Sequence, residues 1–133
     1  MTVSIKISEQ IRERLCCYHL APGKHSESLS YIWAHAISTR RGITVLIPHT
    51  APVLLFDTDC FVRQSAGNVQ LEPAVLNGML IKFAETSYNC LINVHDHWFA
   101  DFTHFSGVDD HDDRGVRANF QKVTRQAITS RHV

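Results

Sequence analysis

A short stretch in the second half of the chain contains side chains suited to binding a metal ion. His95 and His97 follow the apolar run CLINV at positions 90–94. If that run is a β-strand, alternate side chains lie on one face, so both imidazoles leave the same face of the sheet. Asp109 comes twelve residues after His97. Two imidazoles and a carboxylate suit Zn²⁺ and leave the fourth tetrahedral position open for water, which is typical of a catalytic site.

The order of these residues resembles the motif of the JAMM metalloproteases, the MPN-plus or JAB-domain family, in its prokaryotic form. That motif is a Glu far upstream, then His-x-His, then Ser-x-x-Asp. Here HDH stands at 95–97 and SGVD at 106–109, and the segment 61–73 is similar to the strand and helix entry that precede the His strand. The resemblance extends over most of the chain, from about residue 8 to residue 127.

The sequence departs from the family pattern at three points. The residue between the two His, commonly Ser or Thr, is Asp96, and Trp98 stands where Pro is usual. The loop over 98–105 is one residue longer than the family norm. None of these departures removes a metal ligand, so they concern the shape of the loop and the choice of substrate.

The resemblance implies a role for each motif residue. His95, His97 and Asp109 would hold the zinc ion. Glu27 stands where the family carries its upstream Glu, and it would take a proton from the attacking water and deliver it to the leaving amine. Ser106 would donate to the oxyanion formed at the scissile carbonyl. From the residues alone, the better-supported role of Ser106 is the N-cap of a helix that begins there, and the two roles are compatible.

Other residues near the motif have simpler explanations. Glu72 and Glu85 are rival bases, but one opens a predicted helix and the other ends it. His104 and His111 fit a loop and a helix surface. The acidic run that begins at Asp109 suits the first turn of a helix, where the dipole favours negative charge.

Alternating helix and strand patterns predict the elements that position these residues. Apolar residues at every second position indicate strands, and apolar residues three and four apart indicate helices. The interleaving predicts an α/β fold with a layered mixed β-sheet flanked by helices, which the resemblance specifies as MPN-like or cytidine-deaminase-like. The predicted elements are a helix over 9–17 capped by Ser8, strands over 29–37, 43–47, 53–62 and 90–94, a helix that begins at Glu72-Pro73, and a helix over 106–127.

Composition favours one soluble domain over residues 1–133. A chain of this length is near the usual domain size, and 44% hydrophobic with 20% charged residues is ordinary for a globular protein. A formal net charge of zero, with scattered basic residues, argues against nucleic acid as a partner. No apolar run approaches a membrane span and no signal-peptide core is present, so we expect a cytoplasmic protein. The family's later strands are missing, which indicates either an excised portion of a longer protein or a short variant.

The four cysteines give no sign of a metal or redox motif. None forms a Cys-x-x-Cys pair, so we expect buried thiols in a reducing compartment. A Cys nucleophile working with a His is an alternative for which the sequence offers no local signature.

The leading functional hypothesis is a zinc metalloprotease or isopeptidase of the deubiquitinase-like kind. It would hydrolyse the peptide or isopeptide bond after the C-terminus of a ubiquitin-like protein, with Zn²⁺ as cofactor. Its expected partners are that protein or its conjugates and, by family association, a fused or operon-encoded ubiquitin-activating-type enzyme. One alternative is an inactive MPN-type scaffold, against which the intact ligand set argues. The other is a small-molecule zinc hydrolase, which usually needs Cys ligands in Cys-x-x-Cys spacing.

Overall fold

The computed structural model of the protein describes residues 2–23, 26–64 and 69–96. The predicted site residues His97, Ser106 and Asp109, and the predicted helix over 106–127, lie outside this part of the chain. The described elements are β1 (Thr2–Ile7), α1 (Glu9–His19), β2 (Leu29–Thr39), β3 (Gly42–Ile47), β4 (Val53–Leu55), a 3₁₀ turn (Thr58–Cys60), β5 (Phe61–Gln64), β6 (Val69–Leu71), α2 (Pro73–Ala84) and β7 (Cys90–His95).

Strand β2 is the centre of a mixed sheet. Its second half pairs antiparallel with β3, and its first half pairs antiparallel with both β4 and β7. Because residues 30–32 have a partner in each of the latter strands, β4 and β7 flank β2 on opposite edges. Strand β1 pairs parallel with β3 and makes the sheet mixed. The predicted α/β class with a mixed sheet and flanking helices is therefore confirmed.

Helix α1 covers one face of this sheet. The Ser8 side chain accepts a hydrogen bond from the Ile11 amide at 3.3 Å, which satisfies one of the amides left open at a helix start. Ile11 and Leu15 are buried on the same side of the helix and pack with alternate residues of the sheet, such as Ile32. The capped helix was predicted from sequence, and it continues two residues beyond its predicted end, to His19.

Helix α2 covers the opposite face. Pro73 occupies its first turn, where the missing amide hydrogen has no cost, as the sequence indicated. Met79, Leu80 and Phe83 are buried against residues of β2 that alternate with those facing α1, including Trp33. The buried apolar side chains of β2 thus alternate between the two faces of the sheet, one under each helix.

A glycine is required where β1 approaches the hairpin between β2 and β3. Gly42 has φ +140°, and a Cβ built there would lie 1.9 Å from the carbonyl oxygen of Thr2. Only a residue without a side chain lets β1 pair this closely with β3. The short β1 was not predicted, and its residues are mostly exposed on both faces.

The stretch over 53–62 is not the single strand that the sequence pattern predicted. It divides into β4, a 3₁₀ turn and the start of β5. The Cys60 amide donates to the carbonyl oxygen of Asp57 at 3.0 Å and closes the turn. The polar sequence Asp-Thr-Asp at 57–59 favours a turn, and this local preference overrides the apolar residues on either side.

The cysteines are less uniformly buried than predicted. Cys90 is buried in the sheet, whereas Cys17 is exposed on α1, so the expectation of four buried thiols is wrong for Cys17. None of the four takes part in a disulfide within the described part of the chain. Across the same residues, the structure contains no helix of the length and apolarity needed to cross a membrane.

Candidate active site

The candidate site lies at one end of the β2–β7 pair. The last paired residues there are Leu29 and His95, and Glu27 precedes Leu29 by two positions. Glu27 is only 4% exposed, and His95 is half-buried. Of the five predicted site residues, these two fall within the described part of the chain, and the sheet brings them to the same end.

Hydrogen bonds to the main chain fix the segment that carries Glu27. The Gln64 side-chain amide, from β5, donates to the Glu27 carbonyl oxygen at 3.2 Å. On the other side, the Ser28 amide donates to Asp96 Oδ1 at 2.8 Å. The backbone of Glu27 is therefore attached both to the β5–β6 hairpin and to the residue that follows β7.

Asp96 belongs to a buried polar network that reaches into α1. Its Oδ1 lies 3.0 Å from His19 Nδ1, and His19 Nε2 lies 2.8 Å from Ser30 Oγ. An ionised carboxylate can only accept hydrogen bonds, so Nδ1 carries the proton and donates to Asp96. In the neutral ring, Nε2 then accepts the hydroxyl proton of Ser30. We call Asp96, His19 and Ser30, together with the Ser28 amide, the Asp96 clamp.

The contacts of Ser30, His19 and Asp96 follow the order found in serine hydrolases, yet this is not a nucleophilic site. A nucleophilic serine must present its hydroxyl to a carbonyl carbon of the substrate. Ser30 is 0% exposed, on the face of β2 that α1 covers. No substrate carbonyl can reach Ser30 Oγ, so the network serves the structure around it.

His95 and Asp96 lie on opposite faces of the sheet. Leu29 belongs to the row of β2 side chains that packs under α2, and His95 is its direct partner on β7, so His95 lies on the same face. Asp96 instead contacts His19 of α1. The residue between the two predicted histidine ligands is therefore directed away from His95, towards the opposite helix.

A tyrosine attaches the same end of α1 to the end of β4. The Tyr18 hydroxyl donates to the Phe56 carbonyl oxygen at 2.7 Å and accepts from the Phe56 amide at 3.3 Å. Burial raises the pKa of Tyr18 above its ordinary value of 10.0, so the hydroxyl stays protonated at neutral pH. Its ring also meets His19 edge-on, with centroids 4.9 Å apart.

An open cleft of about 600 Å³ adjoins the segment that carries Glu27. Ser26 and Ser28, on either side of Glu27, line it together with Gln64. Asp57 and Asp59 supply carboxylates on its wall. Its size is in the range of clefts that take a small molecule or part of a peptide.

Sequence reasoning missed His19 and Ser30, although each left a local signal. Ile11, Leu15 and His19 are four residues apart along α1 and are all buried. This spacing places the polar ring of His19 on the apolar side of the helix. Ser30 is a polar residue on the face of β2 whose next inward side chain is the apolar Ile32. A histidine and a serine on two inward faces predict a buried polar contact, but nothing in the sequence identifies Asp96 as its third member.

The described residues bear on only part of the predicted zinc site. Of the predicted ligands, His97 and Asp109 lie outside residues 2–96, and His95 lies within them. Among the residues that the structure describes, no group of three or more His, Cys, Asp or Glu side chains is arranged to hold a metal ion. Zinc binding therefore stays a prediction.

No protein-family model, no curated protein and no solved structure matches the chain.

Proposed function

We propose that the protein is a zinc-dependent protease or isopeptidase that cleaves the bond after the C-terminus of a ubiquitin-like protein. The observation that carries the proposal is the position of Glu27, buried at the end of the sheet where His95 closes its pairing with Leu29. A JAMM-type mechanism needs a carboxylate from an early strand beside the first histidine of the motif. The pairing of Leu29 with His95 supports this arrangement, because it brings the ends of β2 and β7 together although Glu27 and His95 are 68 positions apart in sequence.

The side chains at this end of the sheet fit a zinc ion chemically. His95 offers an imidazole nitrogen, and we propose that His97 and Asp109 complete the ligand set. A carboxylate as buried as Glu27 is stable only where donors or a cation surround it. When bound, Zn²⁺ supplies a Lewis acid for the carbonyl and lowers the pKa of water to about 7.

Glu27 acts as the proton carrier of the reaction. As a carboxylate it accepts a proton from the attacking water, and as a carboxylic acid it returns that proton to the leaving nitrogen. Two hydrogen bonds hold its backbone and limit the positions that its side chain can take: Gln64 Nε2 donates to the Glu27 carbonyl oxygen, and the adjacent Ser28 amide donates to Asp96. Ser106 donates to the developing oxyanion.

The cleft that adjoins residues 26–28 suits the part of a protein substrate's tail that lies outside the reacting centre, since neither Glu27 nor His95 is among the described residues that line it. Serine hydroxyls and the Gln64 amide line its wall and can hydrogen-bond to an extended peptide backbone. A tail bound along a strand edge would be recognised through its main chain more than its side chains. A ubiquitin-like protein or its conjugates are the partners proposed on this basis, and a fused or operon-encoded ubiquitin-activating-type enzyme is proposed from the family resemblance alone.

A cleavage assay with two kinds of inhibitor tests the class of enzyme. We expect phenanthroline to stop cleavage of a ubiquitin-like fusion, because the chemistry needs the metal. Alkylation of the exposed Cys17 should leave cleavage unchanged, since no thiol takes part. A variant with all four cysteines changed to Ser or Ala separates unfolding from chemistry. If that variant folds and retains zinc but is inactive, the nucleophile is a thiol and the proposal is wrong.

A further inference from the structure

We infer that the Asp96 clamp is a positioning device for Glu27, and that Asp96 and His19 are positioning residues for the proposed reaction. The inference rests on the proposed function and adds to it the reason why an aspartate stands between the two predicted histidine ligands. It assigns Asp96 to the side of the sheet opposite His95, where it binds no metal.

One carboxylate oxygen of Asp96 joins the segment that carries Glu27 to the strand that carries His95. Asp96 Oδ1 accepts from the Ser28 amide at 2.8 Å, and Ser28 is the residue next to Glu27. Asp96 is also the residue next to His95. The main chains meet here as well, because the Asp96 amide donates to the Ser28 carbonyl oxygen at 3.4 Å. Loss of these bonds would let one strand end shift relative to the other. Such a shift would move Glu27, the proposed base, relative to His95, the predicted ligand.

Helix α1 stabilises this arrangement from outside the sheet. His19 donates to the same Oδ1 from 3.0 Å, and Ser30 fixes the other ring nitrogen at 2.8 Å. The side chains of His19 and Asp96 are 6% and 11% exposed, so little water competes for these bonds. The Asp96 carboxylate reaches both the Ser28 amide and His19 with one oxygen.

The opposite end of the β2–β7 pair offers a matched control. There the Asn89 side chain accepts from the Ala36 amide at 2.7 Å and donates to the Ala36 carbonyl oxygen at 3.0 Å. It ties the same two strand segments together, but it is exposed and far along the sheet from Glu27. Asn89→Ala removes a strand-end bond without touching the proposed site.

The experiment combines hydrogen exchange with steady-state kinetics on zinc-loaded full-length protein. For Asp96→Ala we expect faster exchange of the Ser28 amide and a loss of kcat of about 10–100-fold, as for other residues that support a metal site from behind. KM for the ubiquitin-like fusion and the zinc content should stay near wild type. Asp96→Asn should restore most of kcat, because its amide oxygen accepts the same two bonds. Asn89→Ala should leave kcat unchanged.

Each other outcome overturns a definable part of the account. An unchanged Ser28 exchange rate in Asp96→Ala shows that the clamp does not hold the strand end. Faster exchange with wild-type kcat removes the positioning role. Wild-type protein that binds no zinc overturns the proposed function and this inference together, and its zinc content distinguishes that failure from the other two. Should Asp96→Ala fail to fold, His19→Phe removes the His19 bonds to Asp96 and Ser30 and retains the Ser28–Asp96 bond, and it is judged by the same exchange rate and kcat.

Discussion

At each end of the β2–β7 pair, a side chain from the β7 side hydrogen-bonds to the main chain of the β2 side, but the two side chains differ in charge and burial. At the Ala36 end, a neutral and exposed Asn89 side chain extends the ladder of backbone hydrogen bonds. At the Leu29 end, a buried carboxylate from Asp96 does so and is itself held by His19. Burying a charge costs several kcal/mol unless it is well paired. A neutral side chain such as Asn89 is therefore enough to join two strand ends. The two ends therefore differ in the burial and the charge of the side chain that joins the strands.

The comparison also separates the two faces of the sheet at the Leu29 end. The α2 face carries the row that ends at His95, which is the side of the proposed chemistry. The α1 face carries His19, Ser30 and Asp96, which form a chain of hydrogen bonds. The α2 face thus carries the side chains of the proposed chemistry, and the α1 face carries hydrogen bonds that join the two strand ends.

The largest expected effect concerns the base on the reactive side. Glu27→Gln should lower kcat by about 10²–10⁴-fold, because an amide cannot carry a proton. Zinc content and fold should be retained, since Glu27 is not assigned as a ligand. Glu85→Gln, at the exposed end of α2, is the matched control and should cleave at the wild-type rate. Cleavage by Glu27→Gln at the wild-type rate would identify another residue as the base.

The second prediction contrasts the two strand ends by stability. Asp96→Ala leaves the Ser28 amide and His19 Nδ1 without their acceptor in a buried site, and we expect a loss of about 2–4 kcal/mol in the free energy of unfolding. Asn89→Ala should cost about 0.5–1.5 kcal/mol, because water replaces the lost bonds there. Urea unfolding of both variants measures the difference. Equal losses of unfolding free energy in the two variants would contradict the proposed difference between the Leu29 end and the Ala36 end of the strand pair.

Most of the elements, but not the Asp96 clamp, could be predicted from the sequence. The hairpin of β2 and β3, the Ser8 cap of α1 and the proline start of α2 all follow from patterns within a few residues. The clamp joins His19 to Asp96, which are 77 positions apart, and no local pattern encodes such a contact. The same limit explains why β1 was missed, since it is stabilised by parallel pairing with β3 rather than by a buried face.

The smallest expected effect is a pH dependence at the end of α1. The pKa of Tyr18 is raised in the folded protein by burial, so the folded state holds this proton more tightly than the unfolded chain does. Its contribution to stability is complete below the ordinary pKa of 10.0 and is lost as the pH rises through the folded value. Tyr18→Phe should therefore unfold with a shallower loss of stability between neutral pH and strongly alkaline pH. An unaltered slope in thermal melts across that range would show that the hydroxyl is not protected at the end of α1.

The central claim is that His95 belongs to a zinc site formed in the folded protein, and metal analysis of the purified chain tests it most directly. We expect about one Zn²⁺ per chain in the wild type and none in His95→Ala or Asp109→Ala, because three ligands that converge only on folding are all needed. Glu27→Gln should retain the metal. A wild-type protein without zinc, or full zinc content in both ligand variants, would contradict the assignment.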